Sequence, residues 1–341
     1  MSGRAVFVTG ATGFVGTALA RRLAAEGDEV HAFARPTSDR SGLAELPVRW
    51  YEGDLADGES VQRACEAFAQ ACAASGRQPF AVHSGALISY RTGDGEQARR
   101  VNVEGTRHLL DACQTHGVRR VVHVSSVVTV GHAPDAHVAL DEEADFNGAE
   151  LLVDYVTTKR AAEDFALSVS RQLDVVVVNP GAIFGPAPVL SNTSIFLRRV
   201  AEERVGPVAP PGSLAVVGVD DVAAGIFLAL GRGRRGARYL LTESNLTHRE
   251  LLTLAAAELG VRAPRATAPR ALWRLVAAGA VAWDRLKPQE EATPQALRLL
   301  GAHFRFDARR AQRELGWTPR PFAEVLADTV RWLRERGAVA P

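Results

Sequence analysis

The first sixteen residues constrain the fold of this chain more than any other stretch. Residues 5–9 read Ala-Val-Phe-Val-Thr, an apolar run typical of a buried parallel strand. Gly10, Gly13 and Gly16 follow, which permit a tight turn, close approach of the backbone to a diphosphate and close packing of the next helix. Gly27 ends that helix, whose amino terminus points at the turn. Strand, glycine turn and helix together predict a dinucleotide-binding site.

Tyr155 and Lys159 are the second informative feature. The chain has four tyrosines, and only two of its forty basic residues, Lys159 and Lys287, are lysines. Because positions i and i+4 share one helix face, the Lys159 ammonium can lie beside the phenol and lower its pKa from about 10. A phenol with a lowered pKa is a proton donor or acceptor near neutral pH. The alternative is a tyrosine and a lysine on a solvated helix surface.

The two motifs, in this order and separation, resemble the extended short-chain dehydrogenase/reductase family, in which Gly-x-x-Gly-x-x-Gly and Tyr-x-x-x-Lys are the signature pair. The resemblance covers essentially the whole chain and is closest to the branch of dihydroflavonol reductases and 3β-hydroxysteroid dehydrogenases. It includes Asn179-Pro180-Gly181, where sugar epimerases and dehydratases more often carry Arg before the proline. The closing segment, residues 306–317, also resembles that family.

The resemblance implies a cofactor site assembled from several turns. The residues expected to contact the cofactor are Gly10, Thr12, Gly13, Phe14, Val15, Gly16, Arg35, Asp54, Leu55, Ser84, Gly85, Ala86, Asn102, Ser125, Tyr155, Lys159, Pro180, Gly181 and Ile183.

The end of the second predicted strand bears on the choice of cofactor. Arg35 occupies the position where a carboxylate would bind the ribose hydroxyls of NAD, and Ser38 and Arg40 follow closely. A guanidinium suits a 2′-phosphate, so we expect NADP, with NAD as the second choice. The alternative is that Arg35 is an ordinary surface arginine and that Asp39 reaches the ribose.

The resemblance also implies a catalytic triad of Ser126, Tyr155 and Lys159. Tyr155 would exchange a proton with the substrate, and Lys159 would hold the nicotinamide ribose and favour the phenolate. Ser126 would hydrogen-bond the carbonyl oxygen as its negative charge grows. The family pattern favours Ser126 for this task and places Ser125 toward the cofactor. The alternative is that either serine merely hydrogen-bonds backbone groups at the end of the strand.

Strands and helices alternate in the way that a parallel sheet requires. The predicted strands are residues 5–9, 29–34, 48–51, 80–84, 121–125, 175–179 and 238–241. The predicted fold class is α/β, a doubly wound parallel sheet (Rossmann) with a smaller, mostly helical carboxyl-terminal substrate lobe. The dinucleotide-binding domain is assigned to residues 1–180, with residues 215–243 returning to it as in the family. The substrate lobe is assigned to residues 181–214 and 244–341.

Composition argues against several classes of partner. Forty basic residues are matched by thirty-nine acidic ones and are scattered, so we expect no nucleic acid. Cys65, Cys72 and Cys113 show neither metal spacing nor a disulfide framework, so we expect no metal and a reducing, cytoplasmic compartment. The chain starts directly with a strand, which leaves no room for a signal peptide. A homodimer is expected from the resemblance.

The apolar stretch at residues 271–286 is too short to span a bilayer and is interrupted by Arg274, Asp284 and Arg285. We expect a helix of the substrate lobe, with a surface that touches lipid as the alternative. Side chains that could line a hydrophobic cleft, or equally form ordinary core, are Phe196, Leu197, Leu272, Trp273, Leu275, Val276, Val281 and Trp283.

Three hypotheses about function follow. The first is an NADP-dependent ketoreductase, or alcohol dehydrogenase in reverse, for a bulky and largely apolar ketone or alcohol. Val127-Val128 stand where sugar dehydratases carry an acidic pair, which makes dehydratase chemistry improbable. The second is a nucleotide-sugar epimerase with tightly bound NAD, whose diphosphate would need cations such as Arg198, Arg199, Arg204 and Arg270. The third is a non-catalytic regulator that binds the cofactor.

Overall fold

The computed structural model describes residues 3–187, 191–286 and 293–340, so that Lys287 lies outside the described residues. Its centre is a seven-stranded sheet in which every neighbouring pair is parallel. The strands are β1 (Arg4–Thr9), β2 (Glu29–Ala34), β3 (Val48–Glu52), β4 (Gln78–His83), β5 (Arg120–Val124), β6 (Val175–Pro180) and β7 (Arg238–Leu241). Their order is β3-β2-β1-β4-β5-β6-β7.

The predicted parallel sheet is confirmed, and each predicted strand lies within two residues of an observed one. Ser84 and Ser125, placed at strand ends by the sequence pattern, lie one residue beyond β4 and β5. They therefore stand at the carboxyl edge of the sheet, where doubly wound folds bind their ligands.

Eleven α-helices are defined within the described ranges. They are α1 (Phe14–Ala25), α2 (Gly58–Ser75), α3 (Gly95–Ala98), α4 (Gly105–Thr115), α5 (Asp154–Ser168), α6 (Asn192–Ala201), α7 (Val219–Arg232), α8 (His248–Leu259), α9 (Arg270–Leu286), α10 (Pro294–Gly301) and α11 (Phe322–Glu335). None of them is long and apolar enough to cross a membrane.

Alternate residues of the strands pack into two hydrophobic layers, as the two-residue period of a strand requires. Val6 and Val8 of β1 face one layer, which includes Ile226 of α7. Ala5 and Phe7 face the other layer, which receives α2 and α4. The strands are buried on both faces, and this explains why they read as continuous apolar runs.

A smaller region follows β6 and combines helices with short strands. Ala182–Phe184, Ser213–Gly218 and Ser244–Thr247 form a three-stranded sheet, and Val208–Ala209 pairs with Ala266–Thr267. Side chains of α6, α8 and α11 form a separate core beside the first of these sheets. Helices α9 and α10 pack against each other, so this region supplies a second wall beside the carboxyl edge of the large sheet.

Candidate active site

The turn after β1 is shaped to receive an anionic group. Gly10 has a left-handed backbone with φ of 69°, and a Cβ on Gly16 would lie 2.0 Å from the Gly10 carbonyl oxygen. Helix α1 begins at Phe14 with no side chain capping its amino terminus and no acidic residue in its first turn. Its N–H groups are therefore free to bind a diphosphate. The other predicted contacts of the turn, Thr12, Gly13 and Val15, are partly exposed.

The turn after β4 forms the other side of this crevice. The Ser84 hydroxyl donates to the Thr9 carbonyl at 2.7 Å, and the Gly85 N–H donates to the Thr9 hydroxyl at 3.2 Å. A Cβ on Gly10 would lie 2.7 Å from the Gly85 nitrogen, so the two turns meet backbone to backbone. Ala86, the next residue, is exposed. β1 and β4 are adjacent at the point where the strand order reverses, the usual ligand crevice of such sheets.

Asp54 and Leu55 come directly after β3 in a tight turn. Asp54 Oδ1 accepts a hydrogen bond from the Ala56 N–H at 2.9 Å. Leu55 is buried, and a Cβ added to Gly105 would lie 2.9 Å from the Leu55 Cβ. The turn is thus fixed by α4, which keeps the partly exposed Asp54 in place beside the sheet edge.

Asn102 has a structural role, and its contact with the cofactor remains a prediction. It lies in a π-helical segment, Arg99–Glu104, between α3 and α4, and it is buried. Its Oδ1 accepts from the Leu87 N–H at 2.7 Å, and its Nδ2 donates to the Leu87 carbonyl and the Thr158 hydroxyl at 3.0 and 3.2 Å. These bonds fix the loop after β4 to α5, so Asn102 orders the wall of the site.

Arg35 is exposed immediately after β2 and has no side-chain partner among the described residues. Arg40 donates to Glu52 at 2.6 Å and lies over the Trp50 ring at 4.8 Å. Asp39 accepts a hydrogen bond from the Ser41 N–H at 2.9 Å. The structure therefore leaves the Arg35 guanidinium available to a ligand, while Arg40 is paired with β3 and Asp39 with its own loop.

Tyr155 lies in the first turn of α5 and is 8% exposed. The short helix that Ser126 caps packs against α5. The edge of one ring meets the face of the other between Tyr155 and Tyr90, with centroids 5.8 Å apart. Burial raises the pKa of Tyr155, and the Ser126 side chain lowers it in part. The phenol is therefore protonated at neutral pH and can act as a proton donor.

Lys159 is buried one turn after Tyr155, and its ammonium donates to the Val124 carbonyl at 2.8 Å. Burial lowers the pKa of Lys159 to about 8, and the carboxylate of Glu163 raises it in part. The prediction that this ammonium lowers the pKa of the phenol is wrong for this structure. Burial sets the direction of the phenol's shift, and the ammonium is hydrogen-bonded at the end of β5.

The two candidate serines have different partners. Ser126 caps the short helix Val127–Thr129 and accepts a hydrogen bond from the Val128 N–H at 3.4 Å. Ser125 is buried, and its hydroxyl lies 3.4 Å from the Thr129 hydroxyl. Of the two serines, Ser126 is the one that lowers the pKa of the phenol in part, and its role as the working hydroxyl remains a prediction.

A buried polar network behind Ser126 was missed in the sequence. Glu163 is 0% exposed, and its Oε2 lies 2.7 Å from Asn179 Nδ2 and 2.6 Å from the Thr129 hydroxyl. Both partners also reach the Ser126 carbonyl, at 3.1 and 2.7 Å. Arg238 Nη1 donates to Glu163 Oε1 at 3.3 Å. The one available signal was the spacing, because Glu163 follows Lys159 by four residues on the same helix face.

Two buried histidines, also unpredicted, lie near Lys159. His83 and His123 are aligned on β4 and β5, and the ring nitrogens of His83 lie 2.7 Å from the Thr9 hydroxyl and 2.9 Å from the Thr106 hydroxyl. Burial lowers the pKa of His83 to about 3, and the charge of Lys159 lowers it further. The pKa of His123 is lowered for the same reasons. Both rings are therefore neutral and add no charge to the site.

The segment after β6 continues directly into the smaller region. Pro180 ends β6, and the Gly181 N–H donates to the Leu241 carbonyl at 3.1 Å. A Cβ on Gly181 would lie 2.6 Å from the Ala215 carbonyl oxygen. Ile183 is partly buried in the first of the short strands. Gly181 is thus needed for close packing, and Pro180, Gly181 and Ile183 remain predicted cofactor contacts.

The side chains predicted to line a hydrophobic cleft do not converge. Leu197 is fully buried in the core of the smaller region with Phe196 packed beside it, so the ordinary-core alternative describes both. Trp273 donates through Nε1 to the Leu297 carbonyl at 2.8 Å. The exposed members of the set are Leu272, Leu275, Val276 and Trp283. A cleft built from this set is therefore not what the structure contains, because one face of α9 points to solvent.

Metal chemistry has no candidate site among the described residues, where no group of three His, Cys, Asp or Glu side chains converges. Cys65, Cys72 and Cys113 are buried and free. The polar groups that converge at the carboxyl edge of the sheet are instead a hydroxyl, a phenol and an ammonium.

Residues 6–241 match the NAD dependent epimerase/dehydratase family. The chain is 36% identical over 341 residues to a sterol demethylase protein B of Methylococcus capsulatus, covering 97% of this chain and 99% of that protein. It is 33% identical to a putative dihydroflavonol 4-reductase of Synechocystis, covering 98% and 95%. It is 28% identical to a 4-hydroxy-2-methyl-3-oxo-4-farnesyl-3,4-dihydroquinoline-1-oxide ketoreductase of Stigmatella aurantiaca, covering 95% of each.

Solved structures have the same fold. The crystal structure of gox2253 superposes with a TM-score of 0.84 at 30% identity, covering 98% of this chain and 99% of that one. A dTDP-glucose 4,6-dehydratase of Streptomyces venezuelae, solved with NAD, superposes with a TM-score of 0.74 at 24% identity, covering 99% of each. The chain therefore belongs to the NAD dependent epimerase/dehydratase family, within the extended short-chain dehydrogenases/reductases, and is an NAD(P)-dependent oxidoreductase of that type.

Proposed function

We propose that this enzyme is an NADP-dependent ketoreductase, or the reverse alcohol dehydrogenase, for a bulky and largely apolar carbonyl compound. The observation that carries the proposal is the phenol of Tyr155, which is buried on α5 against the short helix that Ser126 caps. Burial raises its pKa and keeps it protonated. A neutral phenol in that place is suited to give its proton to a carbonyl oxygen.

Each residue of the proposed triad has a distinct task. Ser126 orients the phenol and would hydrogen-bond the substrate oxygen as its charge develops. Tyr155 gives a proton to that oxygen during reduction and takes it back during oxidation. Lys159, buried at the end of β5, places a positive charge under the cofactor crevice. A bound nicotinamide cofactor would supply or accept the hydride.

NADP is preferred because the Arg35 guanidinium stands beyond β2 without a side-chain partner among the described residues. A guanidinium is a good partner for a 2′-phosphate, whereas NAD would require a free carboxylate near the ribose hydroxyls. Asp39, the nearest candidate, is bonded to its own loop.

The two valines that follow Ser126 in the sequence support a reductase rather than a dehydratase. Val127 is buried and Val128 is partly buried, so no carboxylate occupies the place where dehydratases of the family carry their acidic pair. Two relatives, the putative dihydroflavonol 4-reductase of Synechocystis and the ketoreductase of Stigmatella aurantiaca, support the same class.

A nucleotide-sugar epimerase remains the second candidate, and one observation favours it. Arg270 lines a cavity of the smaller region, as a diphosphate site would require. Of the other candidate cations, Arg198 and Arg204 lie 3.7 and 3.4 Å from Glu202.

The test is a panel of apolar ketones and sugar nucleotides assayed with NADPH and NADH at 340 nm. We expect NADPH consumption with ketones, and we expect Tyr155→Phe to bind NADPH normally while losing about 10²–10⁴ of turnover. Epimerisation with NAD that remains bound through gel filtration would overturn the reductase. Unchanged turnover in Tyr155→Phe would overturn the role of the phenol, and absence of any turnover in the native enzyme would favour the regulator.

The remaining assignments also stand as proposals. They are a homodimer, a cytoplasmic location and the division into a dinucleotide-binding domain (residues 1–180 and 215–243) and a substrate lobe (residues 181–214 and 244–341). Light scattering tests the first of them.

A further inference from the structure

A cavity of about 630 Å³ lies under α9, outside the catalytic triad. Its wall includes Arg270 and Arg274 of α9, Arg298 of α10, and His132 and His303. The volume is within the range of small-molecule sites. Three guanidiniums line one cavity, so a ligand there experiences a positive field.

Few negative groups offset these arginines. Glu150 lines the cavity, and its Oε1 lies 2.7 Å from His132 Nε2. Asp135, near His303, accepts hydrogen bonds from the His137 and Val138 N–H groups. Arg298 donates to the Leu152 carbonyl at 3.0 Å, whereas Arg274 has no side-chain partner in the described part of the chain.

Helix α9 is oriented opposite to an ordinary surface helix. Arg270, Trp273, Arg274 and Ala277 recur at i, i+3, i+4 and i+7, so they share the face that lines the cavity. The opposite face is apolar and exposed, with Leu272 54%, Leu275 70%, Val276 47% and Trp283 58% exposed. Arginines normally extend to water. Arg270 and Arg274 are exposed at this cavity, so a ligand that enters it can pair with both.

The electrostatics of His303 agree with this geometry. Burial lowers the pKa of His303, and the charges of Arg270 and Arg305 lower it further. The imidazole is therefore neutral at physiological pH and can donate or accept a hydrogen bond in the cavity.

The cavity is close to the reacting phenol. Leu151 lines the cavity and also packs in the cluster that contains Val153 and Tyr155. The cavity and the cluster around the phenol therefore share Leu151 as a wall residue.

We infer that the cavity under α9 binds an anionic group, a carboxylate or a phosphate, carried by the otherwise apolar substrate whose carbonyl reacts at Tyr155. This inference rests on the proposed function for the identity of the reacting group. Arg274 and Arg270 hold the anion by charge-assisted hydrogen bonds, while Trp273 and Leu151 contact the adjoining apolar part.

The test measures binding by calorimetry with octanoate, octyl phosphate and their neutral analogue octanamide. We expect both anions to bind at least about tenfold more tightly than the amide, a difference of about 1.4 kcal/mol. Arg274→Gln should remove this preference and Arg274→Lys should keep most of it. Arg171→Gln, which replaces an exposed arginine at the far end of α5, should leave it unchanged.

Equal binding of amide and anions, or a preference that survives Arg274→Gln, would overturn the inference. So would binding of UDP that depends on Arg274 while octanoate does not bind, since the anion would then belong to a nucleotide. The assay needs no turnover, so the site can be present in an enzyme that fails the ketone panel, and absent in one that passes it.

Discussion

The ammonium of Lys159 and the guanidinium of Arg274 belong to two regions that treat charge differently. Lys159 is buried, donates to the Val124 carbonyl and has the carboxylate of Glu163 one helical turn away. Arg274 is exposed at a cavity and has no side-chain partner among the described residues. In the first region, groups of the protein itself pair with the positive charge, and these contacts fix the position of the ammonium before a ligand binds. In the second region the compensation is left to a ligand.

This difference has an energetic reason. A buried charge is tolerated only when nearby groups pair with it, because desolvation costs several kcal/mol per ion. A partly exposed guanidinium is solvated by water, so leaving it without an ion-pair partner costs little free energy of unfolding. The unpaired charge of the second region can therefore contribute to ligand binding, whereas the paired charge of the first region keeps the site ordered.

The largest effect is expected from Glu163→Ala. The change leaves Asn179, Thr129 and the largely buried Arg238 without their shared acceptor. Loss of one partner of a buried ion pair costs about 3–5 kcal/mol of the free energy of unfolding. Denaturant unfolding measures it, with Glu163→Gln as the matched control that keeps the shape and should cost less. A loss below about 1 kcal/mol in the free energy of unfolding would show that Glu163 is not the shared partner of these buried groups.

Arg35→Ala tests a second uncompensated cation. Because the guanidinium is unpaired among the described residues, we expect the fold to be unaffected and NADPH affinity to fall about ten- to a hundredfold. NADH affinity should hardly change. Fluorescence titration with both cofactors is the measurement, and equal losses for the two would refute the assignment of Arg35 to the 2′-phosphate.

The pH dependence of turnover tests the compensated region. The pKa of Lys159 is lowered from 10.5 to about 8, so its ammonium is present below pH 8 and is lost as pH rises above it. We expect kcat/KM for ketone reduction to fall about tenfold per pH unit above that value. Tyr155, whose pKa is raised above 10, does not titrate there.

Glu163→Gln sharpens this assignment. The carboxylate raises the pKa of Lys159, so its neutralisation should move the descending limb to lower pH. A limb that stays in place would show that another group controls it.

The smallest effect is expected from Leu275→Ser on the outer face of α9. The side chain is 70% exposed, so its replacement should change the free energy of unfolding by less than about 0.5 kcal/mol. Leu197→Ala, at a fully buried position, provides the contrast, with an expected loss of about 2–5 kcal/mol. Comparable losses at both positions would mean that the outer face of α9 is covered in solution.

Local sequence rules were sufficient for the large sheet and the glycine turn. Strands that are buried on both faces are continuously apolar. At position 16 only glycine fits, because a Cβ there would meet the Gly10 carbonyl oxygen. Both features can therefore be recognised from short stretches of sequence. Tyr155 was recognisable for a similar reason, since the spacing to Lys159 is a property of one helix.

Tertiary structure decided what those residues do. The direction of the Tyr155 pKa shift depends on burial by neighbouring elements, which no spacing reveals. The Glu163 network joins residues from α5, β6, β7 and the turn after β5. The apolar stretch of α9 was recognised in the sequence, but its orientation, with Arg270 and Arg274 lining the cavity, is seen only in the tertiary structure. Sequence thus determined the elements with local causes, and the long-range contacts determined which groups are charged, buried and free to bind.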